Sequence, residues 1–376
     1  MIITIIADVF GRENNGTAIT ARRLIDSLKE RGHEVRVVSP YVTDEQGFYT
    51  VPKRNFYCFN KYVAKNGVEL AKPDKKVLTE AITGCDVVHV MMPFKLGRAA
   101  LKIARKMKLP VTAGFHCQPE NFSSHVHLKD VKAANAFLYK RFNRVLYKHV
   151  DCIHSPSEFI ERELRRHGYK APIRVISNGV APCYKKIESE RPEEIKDYYL
   201  ILFTGRFVGE KRHDLLIKGV AESKYRDKIQ IICAGAGPTQ EHIEALAEKL
   251  GVRKPLIGFH DPEELNRIIN YCDLYVHPAD IEIEAIAALE AITCGLVPVI
   301  NDSERSATRF FARDERNLFD GTPEDLAKKI DYWVEHPEEK AAESKEYIEY
   351  GKRFELGHCI DKMEQMFEDV IKEKKR

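Results

Sequence analysis

The sequence predicts an α/β protein made of two doubly wound parallel sheets, each a Rossmann-like domain. Three observations carry this. Short apolar runs alternate with helix-period segments, the signature of parallel strands with crossover helices. The alternation stops at a Pro/Glu/Lys-rich stretch, 182–197, and then restarts. And 376 residues are enough for two separate hydrophobic cores.

In the first half the apolar run 2–7 reads as a strand. The spacing of Ile19, Leu24, Ile25 and Leu28 reads as a helix over 18–30, stopped by Gly32, and 34–39 as the next strand. The same pattern predicts strands at 86–91, 110–114, 152–155 and 173–176, with helices at 96–108, 131–150 and 157–168. In the second half strands are expected at 199–203, 230–234, 255–257, 274–277 and 297–300. Helices are expected near 211–222, 239–250, 261–271, 284–294 and 322–336. A further helical region covers 337–352, and a last helix, near 357–374, is long enough to cross back to the first domain. The resulting division is 1–180, 181–352 and a returning segment 353–376.

Bulk properties narrow the function. At 44% apolar and 31% charged residues the composition is that of a globular protein, and no apolar run reaches the ~20 residues of a membrane span. The first residues read as a strand, not a signal peptide. Nine scattered cysteines without a Cys-x-x-Cys spacing argue against zinc or redox motifs and for reduced thiols in a cytoplasm. The net charge of +3 hides an asymmetry. Residues 1–180 hold 30 Lys+Arg against 17 Asp+Glu, and the rest hold 30 against 40. A basic first half suits a polyanionic surface. No nucleic-acid motif accompanies it. Basic helices bearing aromatics, chiefly 131–150 with Phe137, Phe142, Tyr147, Lys140, Arg141, Arg144 and Lys148, suit an anionic bilayer instead.

Chemistry is expected in the loops after strands, because open parallel sheets bind ligands at their carboxyl edges. Glu282 and Glu290 stand eight residues apart, with a small-residue helix beginning between them. Eight helical residues rise about 12 Å. That reach suits a nucleotide-sugar, with one carboxylate at the sugar, one at the ribose, and the helix N-terminus at the diphosphate. Arg206 and Lys211, in the loop after strand 199–203, suit the charge of a departing diphosphate. Gly16 and Thr17 immediately precede the first helix, where a glycine lets backbone N–H approach an anion. His116 follows strand 110–114 and is expected to point into a cleft between the domains. His89 and His277 lie inside strands and read as buried structural residues.

Taken in order, the Gly loop, Phe115-His116, Ser155 and Ser157, Asn178-Gly179-Val180, Gly205-Arg206 with Glu210-Lys211, and Glu282 to Glu290 leading into Gly295 and Pro298 resemble a retaining GT-B glycosyltransferase of family 4. The resemblance spans nearly the whole chain. It is most like bacterial enzymes that glycosylate membrane lipids, diacylglycerol or ceramide. It implies that Gly16, Arg206 and Lys211 bind the donor diphosphate and that Ile286 and Ala287 offer N–H groups to phosphate. Glu290 would hold the ribose, Glu282 and His116 the transferred sugar, and Phe259 the base. It implies no cofactor and no metal. Such families usually carry an aromatic and a glycine where this chain has Glu284 and Ala285, a departure that bears on sugar preference. The expected activity is transfer of glucose or galactose from a UDP-hexose to a lipid hydroxyl on the cytoplasmic face of the membrane. A soluble sugar acceptor, an epimerase and a nonenzymatic binding protein are the alternatives.

Overall fold

The computed structural model describes residues 1–10, 16–55, 70–124 and 131–376. Cys58 and the part of the first loop at 11–15 lie outside the described residues. The chain forms two compact units, Met1–Asn178 with Gly357–Arg376, and Gly179–Leu356.

The first unit is built on a seven-stranded sheet in the order β3-β2-β1-β4-β5-β6-β7. Its strands are β1 (Ile2–Ile6), β2 (Glu34–Ser39), β3 (Phe48–Thr50), β4 (Val87–Val90), β5 (Val111–Gly114), β6 (Cys152–Ser155) and β7 (Ile173–Val175). Every pairing between them is parallel. The strands read as unbroken apolar runs because helices cover both faces of such a sheet. The helix Leu356–Lys375 belongs to this unit and buries Cys359, Ile360, Met363, Met366, Phe367 and Val370, a stripe at helical spacing. Its polar flank pairs Asp369 with Arg174 at 3.1 Å and Lys374 with Asp151 at 2.8 Å.

The second unit holds a six-stranded parallel sheet in the order β10-β9-β8-β11-β12-β13. Here β8 is Tyr199–Thr204, β9 Ile229–Ala234, β10 Leu256–Gly258, β11 Leu274–His277, β12 Pro298–Asn301 and β13 Leu318–Phe319. Trp333, Phe203, Tyr275 and Tyr347 are among its fully buried side chains.

Four short elements escape the periodicity analysis: β3, β13 and the helices Lys75–Ile82 and Pro119–Ser124. The expected helix over 131–150 ends at Val145, and a 3-10 turn follows at Tyr147–His149. Leu146 between them leaves the helical region at φ −138° and is fully buried, so the core takes its side chain at the break. Phe142 and Tyr147, read as membrane-facing aromatics, are buried as well, and Phe137 alone of the three rings stands out, 58% exposed. Among the described residues no helix is long and apolar enough to cross a membrane.

Candidate active site

In the second unit the segments following β8, β10 and β11 carry Arg206, Lys211, Phe259, Glu282, Ile286, Ala287 and Glu290, all singled out from sequence. The loop after β8 begins Gly205-Arg206 and ends in a short 3-10 turn, Gly209–Lys211. Its path depends on glycines in the neighbouring loop. A Cβ at Gly235, where φ is +155°, would lie 2.1 Å from the carbonyl oxygen of Gly205. One at Gly237 would lie 2.5 Å from the carbonyl oxygen of Phe207. Backbone thus runs against backbone after β8 and β9, which only glycine permits. Sequence reading missed both glycines; the Gly-x-Gly spacing directly after a strand was the available signal.

Lys211 reaches Glu282. Its Nζ donates to Glu282 Oε1 in a close ion pair, and His277 Nε2 lies 3.3 Å from the same oxygen. Glu282 is 9% exposed. Burial opposes its charge, but Lys211 and His277 outweigh that and hold the carboxyl down at about 2. Burial lowers His277 despite the adjacent carboxylate. His277, read from sequence as structural, is both buried and part of this group.

The segment carrying Glu282 is pinned on both sides. Asp280 N–H donates to the Glu210 carbonyl at 2.9 Å, and Ala307 N–H to the Glu282 carbonyl at 2.8 Å. Arg305 Nη2 donates to both Asp280 oxygens, at 2.7 and 2.6 Å, and Ser303 to Oδ1 at 3.0 Å. Ala285 then adopts a left-handed conformation, φ 60° and ψ 69°, and starts the helix Ile286–Thr293. Ile286 and Ala287 precede the first backbone donors returning to Ala285, namely Ala288 and Leu289, so their N–H groups lie at the helix mouth. Both residues are partly exposed. Glu290 is buried one turn further on, at 6% exposure, and Glu284 at 4%. Arg206 is partly exposed, and Phe259, just past β10, is 66% exposed. A carboxylate, cations, a helix mouth and an exposed ring therefore collect at one sheet edge. That set can receive a diphosphate ester and stabilise negative charge on it.

In the first unit Gly16 begins the helix Gly16–Glu30, and a Cβ there would meet nothing within 4 Å among the described residues. Thr17 follows, partly exposed. His116 lies just beyond β5 with its Nε2 buried, its ring folded back over Gly114 and edge-to-face with His154 at 5.2 Å between centroids. A Cβ at Gly114 would stand 2.3 Å from His116 Nε2.

Residues 185–354 match the family model described as glycosyl transferases group 1, and residues 14–182 match glycosyltransferase family 4. This chain is a family 4 glycosyltransferase. It is 24% identical over 319 residues to an alpha-monoglucosyldiacylglycerol synthase of Streptococcus pneumoniae, covering 80% of this chain and 70% of that protein. It is 28% identical over 316 residues to a GDP-mannose-dependent alpha-mannosyltransferase of Corynebacterium glutamicum, covering 80% and 72%. Among solved structures, HepE of Anabaena in complex with UDP and glucose superposes with a TM-score of 0.75 over 98% of this chain and 100% of that one, at 15% identity. The two parallel-sheet units are thus those of the GT-B class.

Proposed function

We propose that this glycosyltransferase moves a hexose from a UDP-sugar to the hydroxyl of a membrane lipid, with retention at the anomeric carbon and without a metal at the donor. The observation that carries the donor half is the Lys211–Glu282–His277 group beside the mouth of helix Ile286–Thr293. On this reading the diphosphate lies at the N–H groups of Ile286 and Ala287, with Arg206 and Lys211 against it. Glu290 holds the ribose, Phe259 stacks on the base, and Glu282 takes the sugar hydroxyls. The sugar–phosphate bond breaks as the acceptor oxygen arrives on the same face, and the leaving phosphate takes its proton. Lys211 then exchanges part of its pairing with Glu282 for the growing phosphate charge.

The likeness to a glucosyldiacylglycerol synthase and the basic first unit support a lipid acceptor at the cytoplasmic membrane face. The likeness to a GDP-mannose-dependent enzyme favours a second donor reading. One experiment separates them: UDP-glucose, UDP-galactose and GDP-mannose are each incubated with a total bacterial lipid extract, and the products are identified by mass and anomeric configuration. An α-hexosyl lipid from a UDP-sugar is expected. Exclusive use of GDP-mannose, a β-linked product, or strict dependence on added Mg²⁺ or Mn²⁺ contradicts the reading.

A further inference from the structure

We propose that His89 and His154 are positioning residues for the sugar transfer: through one shared water they hold His116 as its Nδ1–H tautomer, a hydrogen-bond donor to a hydroxyl of the transferred sugar. The inference rests on the reading that His116 contacts that sugar. It adds the direction of the hydrogen bond that His116 offers and the residues that decide it.

The three histidines meet on one face of the first sheet. Thr112 stands beside His89 across β4 and β5, and Gly114 beside His154 across β5 and β6. Residues two apart on a strand share a face, so His89, Thr112, Gly114 and His154 share one. His116 follows β5, and its ring folds back over Gly114 to the same place. Phe367, on the helix Leu356–Lys375, packs edge-on against His89 at 5.5 Å between centroids. Each histidine offers a ring nitrogen within 4.8 Å of the other two. His89 Nε2, His116 Nε2 and His154 Nδ1 are buried and have no partner among the described residues. The centre of a triangle of that size lies at most ~2.8 Å from its corners, a hydrogen-bond length. One water there answers all three nitrogens, and buried waters ordinarily make about three such bonds. A cavity of about 20 Å³, lined by His116 and His154 among others, gives room for one water.

The protons settle the directions. Thr112 Oγ1 lies 2.8 Å from His89 Nδ1, its partner among the described residues. The hydroxyl proton needs an acceptor in this core, so Thr112 donates and His89 carries its own proton on Nε2. His154 Nε2 donates to the Ile176 carbonyl at 2.7 Å, which leaves a lone pair on Nδ1. Burial keeps the rings neutral, with His89 held down at about 3, His154 at about 4 and His116 well below its ordinary value. The water therefore accepts from His89 and donates to His154. Its second proton goes to His116 Nε2, the nitrogen left. A neutral imidazole that accepts at Nε2 carries its proton on Nδ1. Nε2 is the inward nitrogen of His116, so Nδ1–H is the group left for the sugar.

The test is a ¹⁵N-histidine NMR spectrum of the full chain, which reports the tautomer of each ring, with His116 assigned from the signal lost in His116→Ala. Protons on His116 Nδ1, His89 Nε2 and His154 Nε2 are expected. Kinetics with the UDP-hexose supply the second arm. His154→Leu should lower kcat/KM about 10-fold, the loss of roughly one hydrogen bond. His154→Gln, whose amide can donate to Ile176 and accept from the water, should restore most of it. Because His154 acts through His116, the double variant His116→Ala with His154→Leu should be no slower than His116→Ala alone. Additive losses, or a His116 protonated on Nε2, overturn the proposal and leave the sugar contact standing. Wild-type turnover by His116→Ala removes that contact, and the proposal with it. If His154→Leu does not fold, the wild-type spectrum decides.

Discussion

At residue scale, the proposed mechanism makes the Lys211–Glu282 pair a link between stability and catalysis. Removing Lys211 leaves a carboxylate buried without its main counter-charge, which costs about 3–5 kcal/mol. Lys211→Ala should therefore lower Tm as well as kcat, by at least ~100-fold in kcat if the cation stabilises the leaving diphosphate. Adding Glu282→Gln should recover much of the stability but none of the activity. A double variant as active as wild type removes both residues from the chemistry. Glu290→Gln should raise the donor KM roughly 10- to 100-fold, since hydrogen bonds to a charged group contribute about 1.5–3 kcal/mol. Unchanged donor affinity by calorimetry counts against the ribose role. Asp8 offers a pH test. Burial pushes its carboxyl up to about 7, against a reference of 3.8, with the backbone N–H of Leu96 at 3.4 Å only partly offsetting this. The unfolded chain releases that proton near pH 4 and the folded chain keeps it to about pH 7, so stability falls as pH rises between them. Asp8→Asn should thus gain on wild type across that window, by as much as ~4 kcal/mol. Equal Tm differences at pH 4.5 and 7.5 would show that Asp8 is already charged in the fold.

At the scale of elements, the start of helix Ile286–Thr293 is strained where the resemblance expects glycine. Ala285 holds a left-handed conformation, which costs an L-residue roughly 1–2 kcal/mol. Ala285→Gly relieves that but frees the unfolded chain by about 0.4–1 kcal/mol. A net gain of up to ~1.6 kcal/mol in urea unfolding is expected, and a clear loss argues that the methyl packs usefully. This element also shows what sequence could convey. Its place was legible because small residues between two glutamates led to an apolar strand, a purely local pattern. The contact of Glu282 with Lys211, 71 residues earlier, was not, since no local period encodes which loop tips meet. Gly235 and Gly237 were missed for the same reason: their necessity comes from a neighbouring backbone, not from their own turn. Strands of two or three residues, β3 and β13, are too short to show a period. His116 was placed correctly after β5, yet the inward fold of its ring depends on the absent side chain of Gly114.

At the scale of the whole molecule, the excess of 13 positive charges in residues 1–180 suits a polyanionic surface. Helix Lys132–Val145 and the turn after it expose Lys140, Arg141, Arg144 and Lys148 along with Phe137, while Tyr139, Phe142 and Tyr147 pack inward. Four cations around one exposed ring suit an anionic bilayer surface, with each cation contributing about 1 kcal/mol and all of it screened by salt. Neutralising the four should reduce co-sedimentation with anionic vesicles sharply at low salt. Phe137→Ala should do so less, and in a way that salt does not screen. Turnover of a detergent-dispersed acceptor should fall much less in either variant, because Arg206, Lys211, Glu282 and Glu290 are untouched. Co-sedimentation at low and high salt, with and without anionic lipid, reads each of these effects. Wild-type protein that ignores anionic vesicles at low salt shifts the acceptor from a lipid to a soluble sugar.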